Sequence, residues 1–272
     1  MKIFKHRKLL IKEIFKCKNL CFIPTMGGLH SGHEYLIKKA KQKKGKTIVS
    51  IYVNQKQFDS KKDFENYPRN IKYDFKVLKK LKVDYLYLPM KNDIYSFKTK
   101  NTIYEDNFIK ALCGKFRKSH FKGVLNVVNR FLEVIKPTFI FMGQKDFQQM
   151  YLIQKHIIKS NIKTKVVKCK TIREKNGVAC SSRNKNLSFK EKKIASNIYN
   201  FLSKQKKFFI NVKNKRKELI LLKKKLINLG ATKVEYIKLF NLKNPKKRLN
   251  KKIKINLFVA YYLNNIRLID NF

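Results

Sequence analysis

Leu20-Cys21-Phe22-Ile23-Pro24-Thr25-Met26-Gly27-Gly28-Leu29-His30-Ser31-Gly32-His33 passes from an apolar run through a pair of glycines into a segment bearing two histidines. Residues 20–24 read as a short buried strand because the run is apolar without alternation. Gly27 and Gly28 then permit a sharp turn. A helix is expected from near His33, with Leu36, Ile37 and Ala40 on one face. A fully apolar strand that turns straight into a helix is the opening unit of a parallel sheet covered on both faces.

The alternation continues outward from that unit. Residues 47–53 read as a second apolar strand. Ile71, Phe75, Leu78 and Leu81 form one helical stripe, followed by a strand at 84–88. After Gly123, the residues Val124, Val127, Val128, Phe131, Leu132 and Ile135 keep the i, i+3, i+4, i+7 spacing until Pro137 stops the helix. A strand at 138–142, a helix at 148–159 and a strand at 165–170 follow. The fold class is therefore α/β, with a Rossmann-like doubly wound parallel sheet over residues 1–183. Beyond Arg183 the pattern changes to two helical stretches (189–208 and 216–229, ending at Gly230) and three strands near 234–239, 253–262 and 265–270. Residues 184–272 read as a smaller α+β C-terminal domain, with 206–217 a basic, exposed connection.

Composition narrows the class. A chain of 272 residues can hold one large or two medium domains, and 43% hydrophobic with 12% aromatic residues excludes a disordered protein. Lys and Arg number 66 against 17 Asp and Glu, a net charge of +49 that invites a polyanion reading. The lysines recur along the whole chain with only short runs, such as 38–46 and 223–225, and so form no single patch. They accompany abundant Asn, Ile, Phe and Tyr, which share AT-rich codons with Lys. The charge reads mainly as compositional bias, and no specific nucleic-acid partner is expected. The five cysteines are scattered and lack a second pair at metal-finger spacing, as befits reduced thiols. No run approaches the ~20 apolar residues of a membrane span, and lysines interrupt the N-terminal segment, so neither a membrane partner nor a signal peptide is expected. A cytoplasmic location is the corresponding expectation.

The chemistry lies in a few segments. His30 and His33 straddle Gly32 where strand passes to helix, and a helix N-terminus presents free amides and a positive dipole end to phosphate. Two imidazoles add donors. Gly143-Gln144-Lys145-Asp146-Phe147-Gln148-Gln149 follows another strand; Lys145 suits a phosphate and Asp146 a ribose hydroxyl, although the pair could equally be a surface salt bridge. Gln57 and Gln149 are neutral two-sided hydrogen-bonding groups suited to a hydroxy acid, or else solvated side chains. Ser181, Ser182 and Arg183 supply hydroxyls and a forked guanidinium, a fit to phosphates that is uninformative by itself.

The H-x-G-H arrangement resembles the signature of the nucleotidyltransferase superfamily, and Pro24 to His33 as a whole resembles the pantothenate synthetase (pantoate–β-alanine ligase) family. Four further segments follow in that family's order. They are Ser50-Ile51-Tyr52-Val53-Asn54 with Gln57-Phe58 and Tyr67-Pro68-Arg69; His120-Phe121-Lys122-Gly123-Val124; 143–149; and Ser181-Ser182-Arg183-Asn184. Arg267-Leu268-Ile269-Asp270-Asn271 resembles its C-terminal strand. Departures from the family pattern are Gln55 and Lys56 before Gln57, Asn70 after Arg69, Lys118 and Ser119 before His120, and Cys180 before Ser181.

The resemblance implies ATP-dependent condensation of (R)-pantoate with β-alanine through a pantoyl-adenylate, releasing AMP and pyrophosphate, within pantothenate and coenzyme A biosynthesis. It implies an ATP site of Met26, Gly27, Gly28, Leu29, His30, Ser31, Gly32, His33, Gly143, Gln144, Lys145, Asp146, Ile172, Cys180, Ser181, Ser182 and Arg183. Pantoate would meet Gln57 and Gln149, and β-alanine would meet Gln57. His33, as proton donor, with His30, Lys145 and Arg183 would be catalytic, and Mg²⁺ would ride on the triphosphate with its protein ligand open; Asp74 is placed in its neighbourhood. A homodimer formed through the larger domain, with ATP in an interdomain cleft closed by the smaller one, is implied too. The rival readings are another H-x-G-H nucleotidyltransferase and a basic nucleic-acid-binding protein.

Overall fold

The computed structural model describes residues 1–211, 215–241 and 255–272, with the backbone alone described at 206–211 and 255. It divides into two compact units, Met1–Thr171 and Ile172–Phe272. The sequence puts the boundary at 183, so residues 172–183 fall in the second unit instead. They are tied there by an antiparallel bridge between Arg173 and Ala179 and by the fork of Arg173 on Asp270, at 2.6 and 3.0 Å.

In the first unit β1 (Lys2–Phe4) and α1 (Arg7–Ile14) precede β2 (Leu20–Thr25), α2 (Ser31–Lys41) and β3 (Lys46–Ile51). Next come α3 (Lys61–Glu65), α4 (Ile71–Lys80), β4 (Tyr85–Tyr87), α5 (Lys91–Tyr95), α6 (Leu112–Phe116) and α7 (His120–Ile135). The unit closes with β5 (Phe139–Gly143), α8 (Phe147–Lys159) and β6 (Lys165–Cys169). The six strands form one parallel sheet in the order β1-β4-β3-β2-β5-β6. The chain builds outward from β2 through β3 and β4, then α7 returns it to the other side of β2 as β5. The loops leaving β2 and β5 therefore part at the point where strand order reverses, which is where open α/β sheets bind ligands.

Strand alternation distributes β2 between two cores. Cys21 and Ile23 pack with Ile37 and Ala40 of α2, Leu78 of α4 and Phe141 of β5. Phe22 faces the other way, its ring 5.6 Å from that of Phe131 on α7. The apolar stripe of α7 is buried as its spacing predicts, and Lys136 ends the helix in a left-handed conformation (φ 48°) just before Pro137.

The second unit holds α9 (Phe189–Asn211), α10 (Lys215–Asn228) and an antiparallel sheet of β7 (Lys233–Asn241), β8 (Ile255–Leu263) and β9 (Ile266–Asn271). Ala195, Ile198 and Leu202 of α9 meet Leu222 and Leu226 of α10 over Val234, Val259 and Leu268. The connection expected at 206–217 is helical at 206–211 and 215–217, because Lys and Arg extend a helix readily and no Gly or Pro interrupts it. Residues 212–214, and Ile253 with Lys254 of the strand expected at 253–262, lie outside the described residues. Among the described residues no helix is long and apolar enough to cross a membrane.

Candidate active site

The turn after β2 is held from beneath. Thr25 Oγ1 donates to the Ser50 carbonyl at 2.7 Å and accepts the Gly27 amide at 3.2 Å. Gly27 (φ 79°) and Gly28 (φ 62°) are both left-handed, a conformation that suits glycine alone without strain. The carboxylate of Asp74, on α4, accepts the amides of Gly28 at 2.9 Å and Leu29 at 2.8 Å. A Cβ on Gly27 would sit 2.9 Å from Asp74 Oδ2, so the glycine also admits the carboxylate. Leu29 then anchors the turn in the sheet core.

Helix α2 starts at Ser31, earlier than the His33 expected, because His30 caps it: its Nδ1 accepts the Gly32 amide at 3.1 Å. The accepting Nδ1 leaves the ring proton on Nε2. The His30 and His33 rings lie 4.1 Å apart at 40°. His33 keeps partial exposure, but its Nδ1 is buried and has no partner among the described residues. Burial, and then the positive charge of Lys145, depress its pKa to about 4, with Asp146 opposing weakly. At neutral pH His33 thus offers a hydrogen bond from a neutral ring, and not the acidic proton of an imidazolium.

Lys145 comes from the turn after β5, next to β2. It stands 3.9 Å from Asp146 Oδ1, with the Lys145 side chain 19% exposed and that of Asp146 47%. Gly143 has ordinary extended backbone (φ −77°, ψ 135°), and a Cβ added there would meet nothing within 4 Å. Neither conformation nor packing calls for glycine at 143; what it leaves is open space beside Lys145.

On the other side of β2, a single turn at Gln55–Gln57 follows β3. Gln57 is buried, its Nε2 2.8 Å from Met26 Sδ, which brings it against the histidine-bearing turn. Asn54 orders this turn: it accepts Tyr95 Oη at 2.9 Å and donates to the Gly123 carbonyl at 3.0 Å and, weakly, to Gln57 Oε1 at 3.4 Å. Gly123 permits the contact, since a Cβ there would fall 2.2 Å from the Lys56 carbonyl. Gln149 on α8 is partly exposed and makes no side-chain hydrogen bond among the described residues. Its neighbour Gln148 is a structural glutamine, bonded to the Cys113 amide and the Phe108 and Ala111 carbonyls at 3.0, 2.8 and 2.6 Å.

In the second unit, Ile172 and Cys180 face each other across a hairpin that turns at Gly177 (φ 86°), with the Cys180 amide on the Ile172 carbonyl at 2.9 Å. Ser181 Oγ accepts the Arg183 amide at 3.3 Å and caps the short turn Ser182–Asn186. Asn184, bonded to Glu174 at 2.6 Å and to the Ala179 carbonyl at 3.1 Å, fastens that turn to the hairpin. Ile172, Cys180, Ser181, Ser182 and Arg183 therefore form one local constellation.

A family model described as Pantoate-beta-alanine ligase matches residues 2–272. The chain belongs to the pantoate–β-alanine ligase family. It is 39% identical to a pantothenate synthetase of Francisella philomiragia over 97% of this chain and 93% of that one. It is 38% identical to one from Flavobacterium psychrophilum over 93% and 91%. Among solved structures, the Francisella tularensis ligase shares 36% identity at a TM-score of 0.84, covering 100% of this chain and 97% of that one. Pantothenate synthetase of Thermus thermophilus shares 26% at 0.89, covering 100% and 99%. The Rossmann-like sheet with its small antiparallel companion is the architecture of these ligases.

Within this ligase fold two residues escape sequence reasoning: Asn54 and, in its structural role, Asp74. The sequence reading places Asp74 near a metal, yet it is 1% exposed and both its oxygens accept backbone amides. A signal is available, since an acid among Lys72, Lys76, Lys79 and Lys80 in a basic chain asks for a partner. Among the described residues no group of three or more His, Cys, Asp or Glu could hold a metal ion.

Proposed function

We propose that this chain carries out the ATP-dependent condensation of (R)-pantoate with β-alanine by way of a pantoyl-adenylate. The observation that carries the reading is the contact of Gln57 with Met26: a buried neutral amide stands against the turn whose far end presents two imidazoles near Lys145. A phosphate-binding turn with a neutral hydrogen-bonding wall beside it suits a nucleotide next to a small hydroxy acid. The Francisella tularensis relative was crystallised with β,γ ATP and β-alanine.

In the first step a pantoate carboxylate oxygen attacks the α-phosphorus of MgATP, and the bond to the bridging oxygen breaks to release pyrophosphate. A carboxylate is already ionised at neutral pH, so the step needs alignment and charge stabilisation more than a base. Gln57 and Gln149 orient pantoate; the α2 N-terminus, His30, His33 and Lys145 receive the phosphates, with Gly143, Gln144 and Asp146 along the ribose. The orphaned Nδ1 of His33 fits a site whose hydrogen bonding a ligand completes. Ser181, Ser182 and Arg183 meet the terminal phosphates, and Ile172 and Cys180 line the adenine. In the second step the amine of β-alanine, held near Gln57, attacks the acyl carbon, loses a proton and expels AMP. The working form is a cytoplasmic homodimer.

The test is AMP release by purified protein given ATP and Mg²⁺. Release that requires pantoate and β-alanine together supports the reading, and release indifferent to either acid defeats it.

A further inference from the structure

The turn that carries Gln57 is gripped by the segment leading into α7. Arg117 Nε donates to Asp59 Oδ2 at 2.9 Å, and its Nη2 donates to the Gln57 carbonyl at 3.2 Å. The hydroxyl of Ser119 donates to the other oxygen of Asp59 at 3.0 Å. His120 Nδ1 lies 2.7 Å from the same Gln57 carbonyl, which can only accept, so the ring donates. One turn further on, Gly123 lets the Lys56 carbonyl approach the helix.

Ser119 is informative for what it does not do. It stands at the N-cap of α7, where a serine hydroxyl ordinarily accepts an amide from the first turn of its own helix. Here it makes no capping bond and reaches sideways to Asp59. The Arg117 side chain is 15% exposed and that of Asp59 35%, so the arginine side of the pair is the sheltered one and the carboxylate faces solvent. Four hydrogen bonds thus converge on two residues, Gln57 and Asp59, from 117–120, and Gln57 is the one with a role toward substrate.

We propose that Arg117, Asp59 and Ser119 form a positioning bracket that sets pantoate affinity by fixing the backbone of Gln57, without touching the reacting atoms. The inference rests on Gln57 contacting pantoate. Loosening the bracket lets the amide of Gln57 swing from its place beside Met26, and affinity for the acid falls while phosphate binding, supplied by α2 and Lys145, stays as it was.

The experiment is steady-state kinetics on Asp59→Ala, Ser119→Ala, Ser119→Thr and Gln57→Ala, and on the Asp59→Ala/Gln57→Ala double variant, with melting temperatures recorded for each. Asp59→Ala and Ser119→Ala are expected to raise the KM for pantoate about five- to twentyfold with kcat and the KM for ATP within about twofold, as loss of a charge-assisted hydrogen bond implies. Ser119→Thr, which keeps the hydroxyl, restores the pantoate KM. In the Gln57→Ala background, Asp59→Ala adds nothing, because the two act on one contact. Additive effects, or equal changes in both KM values and kcat, overturn the bracket; a pantoate KM unmoved by Gln57→Ala overturns instead the placement of pantoate on which it rests.

Discussion

Asp74 accepts the backbone amide of Leu29 at 2.8 Å, buckling the histidine-bearing turn to a helix that follows the next strand of the sheet. Its other oxygen takes Gly28 at 2.9 Å, so one carboxylate orders the approach to His30 and His33. Asp74→Ala would leave two buried amides unpaired at about 1–3 kcal/mol each, and the expected loss of stability is about 2–6 kcal/mol. Urea unfolding checks this. A variant as stable as the parent would mean the turn does not depend on the buckle.

Gly143→Ala separates ligand approach from fold. Since an added methyl meets no protein atom within 4 Å, unfolding should be unchanged. The KM for ATP should rise about tenfold, as a Cβ holds the nucleotide off the backbone. An unaltered ATP KM would remove Gly143 from the nucleotide site.

The titration of His33 follows from burial and from Lys145. With its pKa lowered to about 4 in the folded chain against an ordinary value of 6.5, the unfolded chain binds the proton first as pH falls. Its contribution to stability is whole above pH 6.5 and declines as pH drops toward 4. NMR of the imidazole should find the low pKa in the free protein and an upward shift once a triphosphate offsets Lys145. A midpoint near 6.5 without ligand would contradict the geometry.

His33→Ala should slow adenylate formation by about a hundredfold or more through loss of a phosphate donor, with the fold retained. Single-turnover measurement of pyrophosphate release with pantoate alone, beside a circular dichroism melt, reads both. Near-normal turnover would exclude His33 from the chemistry.

Gln149→Ala is expected to weaken pantoate binding more than ATP binding, since Gln149 makes no side-chain hydrogen bond among the described residues whose loss would disturb the fold. Calorimetric titration with each ligand distinguishes the two. Equal losses would argue for a general disturbance of α8.

The larger sheet is legible in the sequence because apolar strands, glycine turns and the strict spacing of α7 each act over a short stretch of chain. The histidine turn is legible for the same reason. What escapes is long-range. Asp74, Asn54 and the bracket around Asp59 act across the fold, and nothing local shows which backbone amides Asp74 will meet. β1 and α1 escape because a very short strand and two turns of basic helix carry too little periodicity. The low pKa of His33 is not legible in the motif because it depends on burial and on Lys145, neither of them visible there. The domain boundary moves for a similar reason, as the Arg173–Asp270 fork joins residues far apart in the chain.

On the proposed reading, the histidine turn, Lys145 and Gln57 together support formation of an acyl-adenylate. Exchange of labelled pyrophosphate into ATP, measured with pantoate present and β-alanine withheld, tests it most directly. Exchange is expected to depend on pantoate and to be abolished in Gln57→Ala at low pantoate concentration. Exchange that proceeds without pantoate, or AMP formation with both acids and no exchange under any condition, would contradict it.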